Sequence, residues 1–592
     1  MGVTTNNAAL DQREIRYRRL IDLGIALSAE RHHDRLMELI LSGAKELTNA
    51  DGGTLYLYDE ANRSLNFAIV LNDTLKIALG GTTGKPITFP PLALYDAEGN
   101  PNQKNVSTAA ALSGTTVAIE DAYDAENFDF TGTKAFDART GYRSQSFLTV
   151  PLKNHEGDVV GVLQLINART LDGTVAPFPE ETVSLVEALA SQAAVALDNQ
   201  MLLDAQKKLF TSFIEVIANA IDAKSPYTGG HCRRVPALTN MLTRAATQAT
   251  NGIFADFDLT EDEWYELEVA GGLHDCGKVT TPEYVVDKAT KLETIYNRLH
   301  EIRTRFEVVK RDAEIAYWKS VSEGGDKGQL AAERDARLKQ LDEDYAFVAE
   351  CNVGGEFMAP ERVDRLKKIA ETTWLRTLDD TIGLSWEEAQ RKPKEKQVLP
   401  VLEHLLADKP EHIVPHDKPA MPPDNQWGFK INPPAHKFNL GEVYNLGIGR
   451  GTLTAEDRYH INDHIVQTII MLEALPFPKN LKRVPAWAGG HHEKLDGTGY
   501  PKRLFKDDME IPARAMAIAD IFEALTARDR PYKTPKKLSD CIKILSFMKK
   551  DQHIDPDLFD LFLTAGVYKE YAEQFLTPEQ IDEVDISQYL SK

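Results

Sequence analysis

LHDCGKV, residues 273–279, closes a stretch of helical composition, VAGGLHDCGK, and sets a histidine beside an aspartate. Adjacent residues on a helix project about 100° apart, so His274 and Asp275 serve one centre only if it lies across the helix face. Imidazole and carboxylate together make a hard-to-borderline ligand pair. Lys278 follows His274 by four positions, which puts a cation on the same face. Alone, the dipeptide occurs by chance in many chains, and a capped helix end turning at Gly277 is the plain alternative.

Downstream residues supply the rest of the pattern. HHEKLDGTGYP, residues 491–501, sets His491 and His492 ahead of a loop shaped by Gly497, Gly499 and Pro501. Such a backbone can approach a base or a phosphate closely. Glu493 or Asp496 is the expected acceptor that orients a histidine ring. Asp520 lies at the centre of the apolar stretch ARAMAIADIFEAL, residues 513–525, where a carboxylate must be paired or bind metal. A salt-bridged structural aspartate is the alternative there. His231 opens the helical stretch HCRRVPALTNML. His464 lies beside the stripe Ile461, Ile465, Ile469 and Leu472, where a plain core histidine is the alternative. His300, in YNRLHEIRTRF, competes for the same role, and His460 is expected to be exposed.

His231, His274, Asp275, His464, His491, His492 and Asp520 are too many nitrogen and oxygen groups for one tetrahedral zinc site. They suit two divalent metals bridged by Asp275. Sulfur is absent from the set, because Cys276 is expected to point away. Iron or manganese is therefore expected ahead of structural zinc, with zinc and magnesium left open.

Working outward, the N-terminal third carries strand patterns at 53–59, 66–72, 115–121, 146–154 and 159–167. The last two are joined by His155-Glu156-Gly157-Asp158, a hairpin signal. With flanking helical periodicity from Tyr17 to Thr48, this predicts an α+β unit over residues 20–200. Helical spacing then runs through 180–223, read as one rod or as two helices broken near Asn199-Gln200. From Leu209 onward the strand signal almost vanishes, which predicts a helical C-terminal unit over 205–592. Residues 292–349 read as a helical hairpin broken at SEGGDKG, and the proline- and glycine-rich 392–451 as mostly irregular.

The 592 residues suggest about two to four domains at roughly 150 residues each. A net charge of −22 argues against non-specific DNA or RNA binding. Four cysteines without a C-x-x-C pair suggest reduced thiols in a cytoplasmic protein. The N-terminal sequence shows no signal-peptide pattern, and apolar runs stay short of the ~20 residues a transmembrane helix needs.

AIDAKSPYTGGH ending at His231, HDCGK at 274–278 and GTLTAEDRYHINDH ending at His464 continue into HHEKLDGTGYP and IADIFEALTARDRPY at 518–532. This series resembles the HD-GYP family, a branch of the HD metal-dependent phosphohydrolases. The resemblance implies a helical bundle with a two- or three-metal centre. It also implies hydrolysis of cyclic di-GMP, in some members cyclic GMP-AMP, to linear dinucleotide or mononucleotides. Carried onto this chain, it makes the seven residues above the metal ligands and Asp275 and Lys278 the catalytic candidates. Lys278, Arg514, Gly499 and Tyr500 become the substrate-binding candidates, with Arg514 either a phosphate-binding or a structural arginine. Some three-metal members carry an extra glutamate where Tyr227 stands here, which favours two metals.

Two departures from the family pattern bear on the substrate: an insertion at about 289–450, expected to act as a lid, and one extra residue in ALTARDRPY.

GYRSQSFLTVPLKNHEGDVVGVLQLINA, residues 141–168, resembles a GAF domain over about 20–200. Asn167, Phe178 and Glu181 match part of the pattern of cyclic-nucleotide-binding members, but the lysine of that pattern is missing. A dimerisation module without ligand is the alternative. The expected protein is thus multidomain: an N-terminal α+β GAF-like domain, a long linker helix supporting a homodimer, and a C-terminal all-α HD-type bundle with a large insertion. Its expected function is metal-dependent cyclic di-GMP phosphodiesterase. The alternatives are cyclic GMP-AMP, a nucleoside phosphate, or non-catalytic nucleotide binding.

Overall fold

The computed structural model describes residues 2–170, 172–224, 230–355, 357–395, 397–419, 421–422, 424–528 and 535–591. The chain divides into two compact units, Met1–Phe210 and Thr211–Lys592.

The first unit is built on one antiparallel sheet. Its strands are β1 (Ala50–Asp59), β2 (Ser64–Asn72), β3 (Ile77–Gly80), β4 (Leu92–Ala93), β5 (Val117–Ile119), β6 (Phe147–Lys153), β7 (Val159–Arg169) and β8 (Val175–Ala176). The order is β3-β2-β1-β7-β6-β5, with β4 beside β2 and β8 beside β7. Leu55 faces Ile69 on one side and Leu163 on the other, and Leu163 faces Val150. This register aligns the apolar residues of the central strands on one face. The helices Gly2–Ala29, His33–Thr48 and the first part of Glu180–Lys224 cover it through Leu23, Ile40, Leu41, Leu189 and Leu197. The expected hairpin is present, with Asn154 N–H donating to the Asp158 carbonyl and Gly157 at φ +91°. The short strands β3, β4 and β8 escape periodicity because runs of two to four residues are too short to show an alternation.

Glu180–Lys224 is one unbroken helix of 45 residues. Beyond it the second unit is mostly helical. The helical pair expected at 292–349 is Leu299–Ser322 and Lys327–Val353. It packs with Pro360–Ala370 around a local core of Ile302, Phe306, Leu341, Val348, Leu366 and Leu405. The insertion therefore has a hydrophobic centre of its own. It also holds two small antiparallel sheets, β9 (Thr373–Arg376) with β10 (Val401–His404) and β11 (Ile413–Val414) with β12 (Phe438–Asn439). These short strands lie within the insertion, and the unit as a whole is mostly helical.

Buried polar contacts anchor the insertion at its roots. Lys288 Nζ reaches Asp457 at 2.7 Å, and Lys291 Nζ donates to the carbonyls of Leu446 and Ile448. His460, expected to be exposed, is half-buried. Its ring stacks on Phe438 and hydrogen-bonds the Lys437 carbonyl, so it ties the insertion to the helix Ala455–Glu473.

Candidate metal centre

His274 is the C-cap of the helix Glu261–Leu273, and Asp275 precedes the 3-10 turn Cys276–Thr280. Asp275 leaves the helical region, at φ −109° and ψ 12°. That break lets two neighbouring side chains turn to one centre, which a continuous helix would hold apart. The turn is locked onto the helix Ala455–Glu473 by Gly277, whose N–H donates to Thr468 Oγ1 at 2.9 Å. A Cβ at Gly277 would fall 1.9 Å from the His464 carbonyl oxygen, so only glycine permits this approach.

Seven expected ligands converge. The candidate ligand atoms of His231, His274, Asp275 and Asp520 lie within 4.8 Å of one another, as do those of His464, His491 and His492. Asp275 stands between the groups, with Oδ2 at 3.0 Å from His231 Nε2 and Oδ1 at 3.2 Å from His464 Nε2. His231 begins the helix His231–Thr247, and Asp520 lies mid-way along Ile511–Thr526. His491 and His492 follow the short helix Val484–Gly489. His300 is exposed in the insertion beside Arg303 and takes no part.

The rings are oriented mainly by backbone carbonyls. His274 Nδ1 lies 2.7 Å from the Gly271 carbonyl oxygen, His491 Nδ1 lies 2.6 Å from that of Ala488, and His464 Nδ1 contacts that of Ile461. A proton on each Nδ1 leaves Nε2 with its lone pair aimed inward. His231 is oriented instead by a carboxylate, with Nδ1 2.5 Å from Oε2 of Glu523, which also holds Arg234. Glu523 was not singled out in the sequence. Its signal was a second carboxylate three positions after Asp520 in a largely apolar helix.

Glu493 and Asp496, expected as the orienting acceptors, do other work. Glu493 accepts the N–H groups of Lys502, Arg503 and Leu504, and Asp496 accepts that of Thr498, so both shape the glycine-rich loop.

Electrostatics suit ligation at His491, His492, Asp275 and Asp520. Burial, reinforced by His274, pushes His491 down to about 4, and burial beside His491 and His464 holds His492 far below its ordinary value. Against the cost of burial, Lys278 and His274 keep Asp275 well below the usual carboxylate range. Asp520 is likewise depressed against burial, chiefly by His231. His231 is raised well above its ordinary value despite burial and Lys278, because Asp275, Asp520 and Glu523 surround it. Lys278 Nζ lies 2.5 Å from Asp275 Oδ2. Among the described residues, the buried Nε2 atoms of His274 and His491 and Oδ1 of Asp275 have no hydrogen-bond partner. Orphaned donors of this type, facing one centre, are what divalent cations require, and the residues present fit them. Cys276 is buried, its thiol pushed up to about 11, and interacts with Thr468.

Tyr500 stacks on His492, with centroids 5.0 Å apart and planes at 16°. Gly499 and Tyr500 line a cleft of about 840 Å³ shared with the start of the helix Ala455–Glu473 and with insertion residues near Lys430. A Cβ on Gly499 would lie 2.3 Å from the Lys494 nitrogen, which accounts for glycine there. Arg514 is not brought to this cleft. Its guanidinium pairs with the fully buried carboxylate of Asp555. Tyr227 and the end of ALTARDRPY lie outside the described residues.

In the first unit a cavity of about 360 Å³ is lined by Tyr56, Phe67, Phe130, Phe147 and Gln164. None of the three candidate ligand residues lines it. Asn167 spends its amide on the backbone of Gln145, Ser146 and Arg143 and on the Tyr142 hydroxyl. Phe178 is buried in the helix–sheet core, and Glu181 pairs with Arg13. The contacts of these three side chains are made within the fold.

A buried histidine–aspartate centre in a helical unit, preceded by a sheet unit, defines the class. An HD domain model matches residues 400–558 and a GAF domain model residues 32–197. The chain carries both domains, and the His274-Asp275 pair lies ahead of the matched HD stretch.

Among curated proteins, the chain is 40% identical over 77 residues to 3'3'-cGAMP-specific phosphodiesterase 1 of Vibrio cholerae serotype O1 (13% of this chain, 18% of that protein). It is 42% identical over 128 residues to 3'3'-cGAMP-specific phosphodiesterase 3 of the same organism (20% and 26%). It is 38% identical over 79 residues to a cyclic di-GMP phosphodiesterase of Pseudomonas aeruginosa (13% and 18%). The chain thus spans about a quarter or less of the length of these relatives.

Proposed function

We propose that this protein is a metal-dependent phosphodiesterase of the HD-GYP type that opens a cyclic dinucleotide, regulated by its GAF domain. The observation that carries the reading is the convergence of five histidines and two aspartates with orphaned buried ligand atoms. The names of the relatives favour 3'3'-cyclic GMP-AMP and cyclic di-GMP alike, so both are substrates to be tested.

Two divalent cations, iron or manganese by ligand type, would supply Lewis acidity toward a phosphoryl oxygen and an acidic water. His231, His274 and Asp520 would hold one, and His464, His491 and His492 the other, with Asp275 shared. The chain itself provides the rest. Backbone carbonyls and Glu523 fix the rings before substrate arrives, so little reorganisation accompanies the reaction. Lys278 stays cationic against burial because Asp275 and Asp520 face it, and it can meet charge building on a phosphate. Tyr500, braced on His492, offers its ring to a base.

On Glu180–Lys224, the residues Val195, Leu202, Leu209 and Val216 recur every seven positions and are each about half exposed or more. We assign this stripe to parallel pairing with a second copy of the chain.

The test is to incubate the metal-loaded full chain with cyclic di-GMP, 3'3'-cyclic GMP-AMP and cyclic GMP and to separate products chromatographically. Linear dinucleotide from either of the first two is expected. Intact cyclic dinucleotides with a fully loaded centre would overturn the reading. No helix among the described residues is long and apolar enough to cross a membrane.

A further inference from the structure

The cleft beside the histidine centre carries Lys430, Arg458 and Arg503, and among the described residues no carboxylate lines it. In a chain of net charge −22 this is a marked local reversal. Among the described residues, none of the three cations has a carboxylate within ion-pair distance. They come from three separate segments: the insertion, the start of the helix Ala455–Glu473, and the glycine-rich loop. Like charges gathered in one cleft repel, and an anion in the cleft relieves that repulsion.

The backbones of Lys430 and Arg503 are held by a built framework. The N–H of Lys430 donates to the Pro501 carbonyl at 2.7 Å, joining the insertion to the loop that carries Tyr500. Phe429, next to it, is buried against Val466 and Ile469, and the Asn425 side chain braces the turn through both N–H and C=O of Phe429. Arg503 adopts φ +58°, a left-handed conformation unfavourable for arginine, and Glu493 fixes it by accepting its N–H at 3.1 Å. A glycine or asparagine would sit there more easily, so the side chain is kept at a conformational cost. The first turn of the helix Ala455–Glu473, capped by Thr454 and Asp457, forms the part of the wall that carries Arg458.

We propose that Lys430, Arg458 and Arg503 form an anion subsite for the phosphate of a cyclic dinucleotide that is not being cleaved. The insertion thereby supplies a specificity-determining lysine. This rests on the phosphodiesterase reading above. The scissile phosphate lies at the histidine centre beside Tyr500, and a second phosphate is the feature that separates a cyclic dinucleotide from a cyclic mononucleotide. The cleft volume falls within the ~300–1,000 Å³ of small-molecule sites.

The test uses the full chain with Lys430→Ala, Arg458→Gln and Arg503→Asn, the last chosen because asparagine tolerates the left-handed backbone. Lys430→Ala leaves the N–H to Pro501 in place. Two readouts are taken: kcat/KM on the cyclic dinucleotide and on bis(4-nitrophenyl) phosphate, which has one phosphate, and calorimetric binding of the dinucleotide to chelator-treated protein. Each variant is expected to lose about tenfold or more on the dinucleotide, mainly in KM, and to bind it correspondingly more weakly. Activity on the single phosphodiester should stay unchanged. Equal losses on both substrates, or no loss on either, would overturn the subsite while leaving the phosphodiesterase reading intact. Lys430-dependent binding without cleavage of either substrate would uphold the subsite and sink the catalytic reading. Wild-type protein that neither binds nor cleaves a cyclic dinucleotide overturns both.

Discussion

His464 and His492 present their Nε2 atoms to each other at 3.1 Å. The Nδ1 of His464 is engaged by the Ile461 carbonyl, which puts its proton outside the centre. Burial among other histidines keeps His492 from protonating at neutral pH. Two ring nitrogens at this separation, in a pocket that also holds the unpartnered Nε2 of His491, are arranged for a shared cation.

Elemental analysis of protein purified without oxygen or chelator should therefore find two divalent metals per chain. Chelation should lower the unfolding midpoint, since a ligand at a hundred times its Kd contributes about 2.7 kcal/mol per site. One metal or none in fully folded protein would refute a binuclear centre.

Asp275→Asn keeps the side-chain size but removes the anion between the two histidine groups. Turnover should fall on the order of 100-fold or more, with loss of at least one metal. Lys278→Ala should cost less and leave the metal count unchanged. Single-turnover cleavage alongside metal content checks both, and near-parental turnover of Asp275→Asn would remove Asp275 from its bridging role.

Glu523 acts through His231. Glu523→Ala should weaken metal affinity by about 10–100-fold, as seen for groups that orient metal-bound histidines. Glu523→Gln, which still accepts from the ring, should recover most of it. Competition titration with a chelating dye measures both, and equal affinities of alanine variant and parent would contradict the assignment.

Gly277→Ala forces a methyl group into the backbone of the helix that carries His464. The cost should reach the upper end of the ~1–3 kcal/mol typical of overpacking, or exceed it. Denaturant midpoints measure this; an unchanged midpoint would mean the turn and helix can separate freely.

Leu209→Glu places a charge in the exposed heptad stripe of Glu180–Lys224. Light scattering should show a dimer for the parent and a monomer for the variant. A parent that is monomeric at micromolar concentration would dispose of the pairing.

Much of the centre was legible in the chain because ligand chemistry is written in residue type. Imidazoles and carboxylates in apolar helices are costly unless used, and glycines at 277 and 499 mark places where backbones touch. The central strands were legible because half-buried strands alternate. The orienting partners were not, since three of them are backbone carbonyls, which every residue has. Arg514 stayed open for a related reason: a guanidinium suits a phosphate and a buried aspartate equally, and its partner Asp555 lies 41 positions away.

The sequence by itself determined which atoms were available: seven ligand groups, a cation beside them, a tight loop, and an alternating sheet ahead of a helical remainder. The tertiary structure decided which of them meet. His231 and Glu523 touch across 292 positions, and Lys430 reaches Pro501 from within the insertion. Contacts over such separations depend on how whole helices pack. That packing is set by summed burial across many residues, and no local pattern records it.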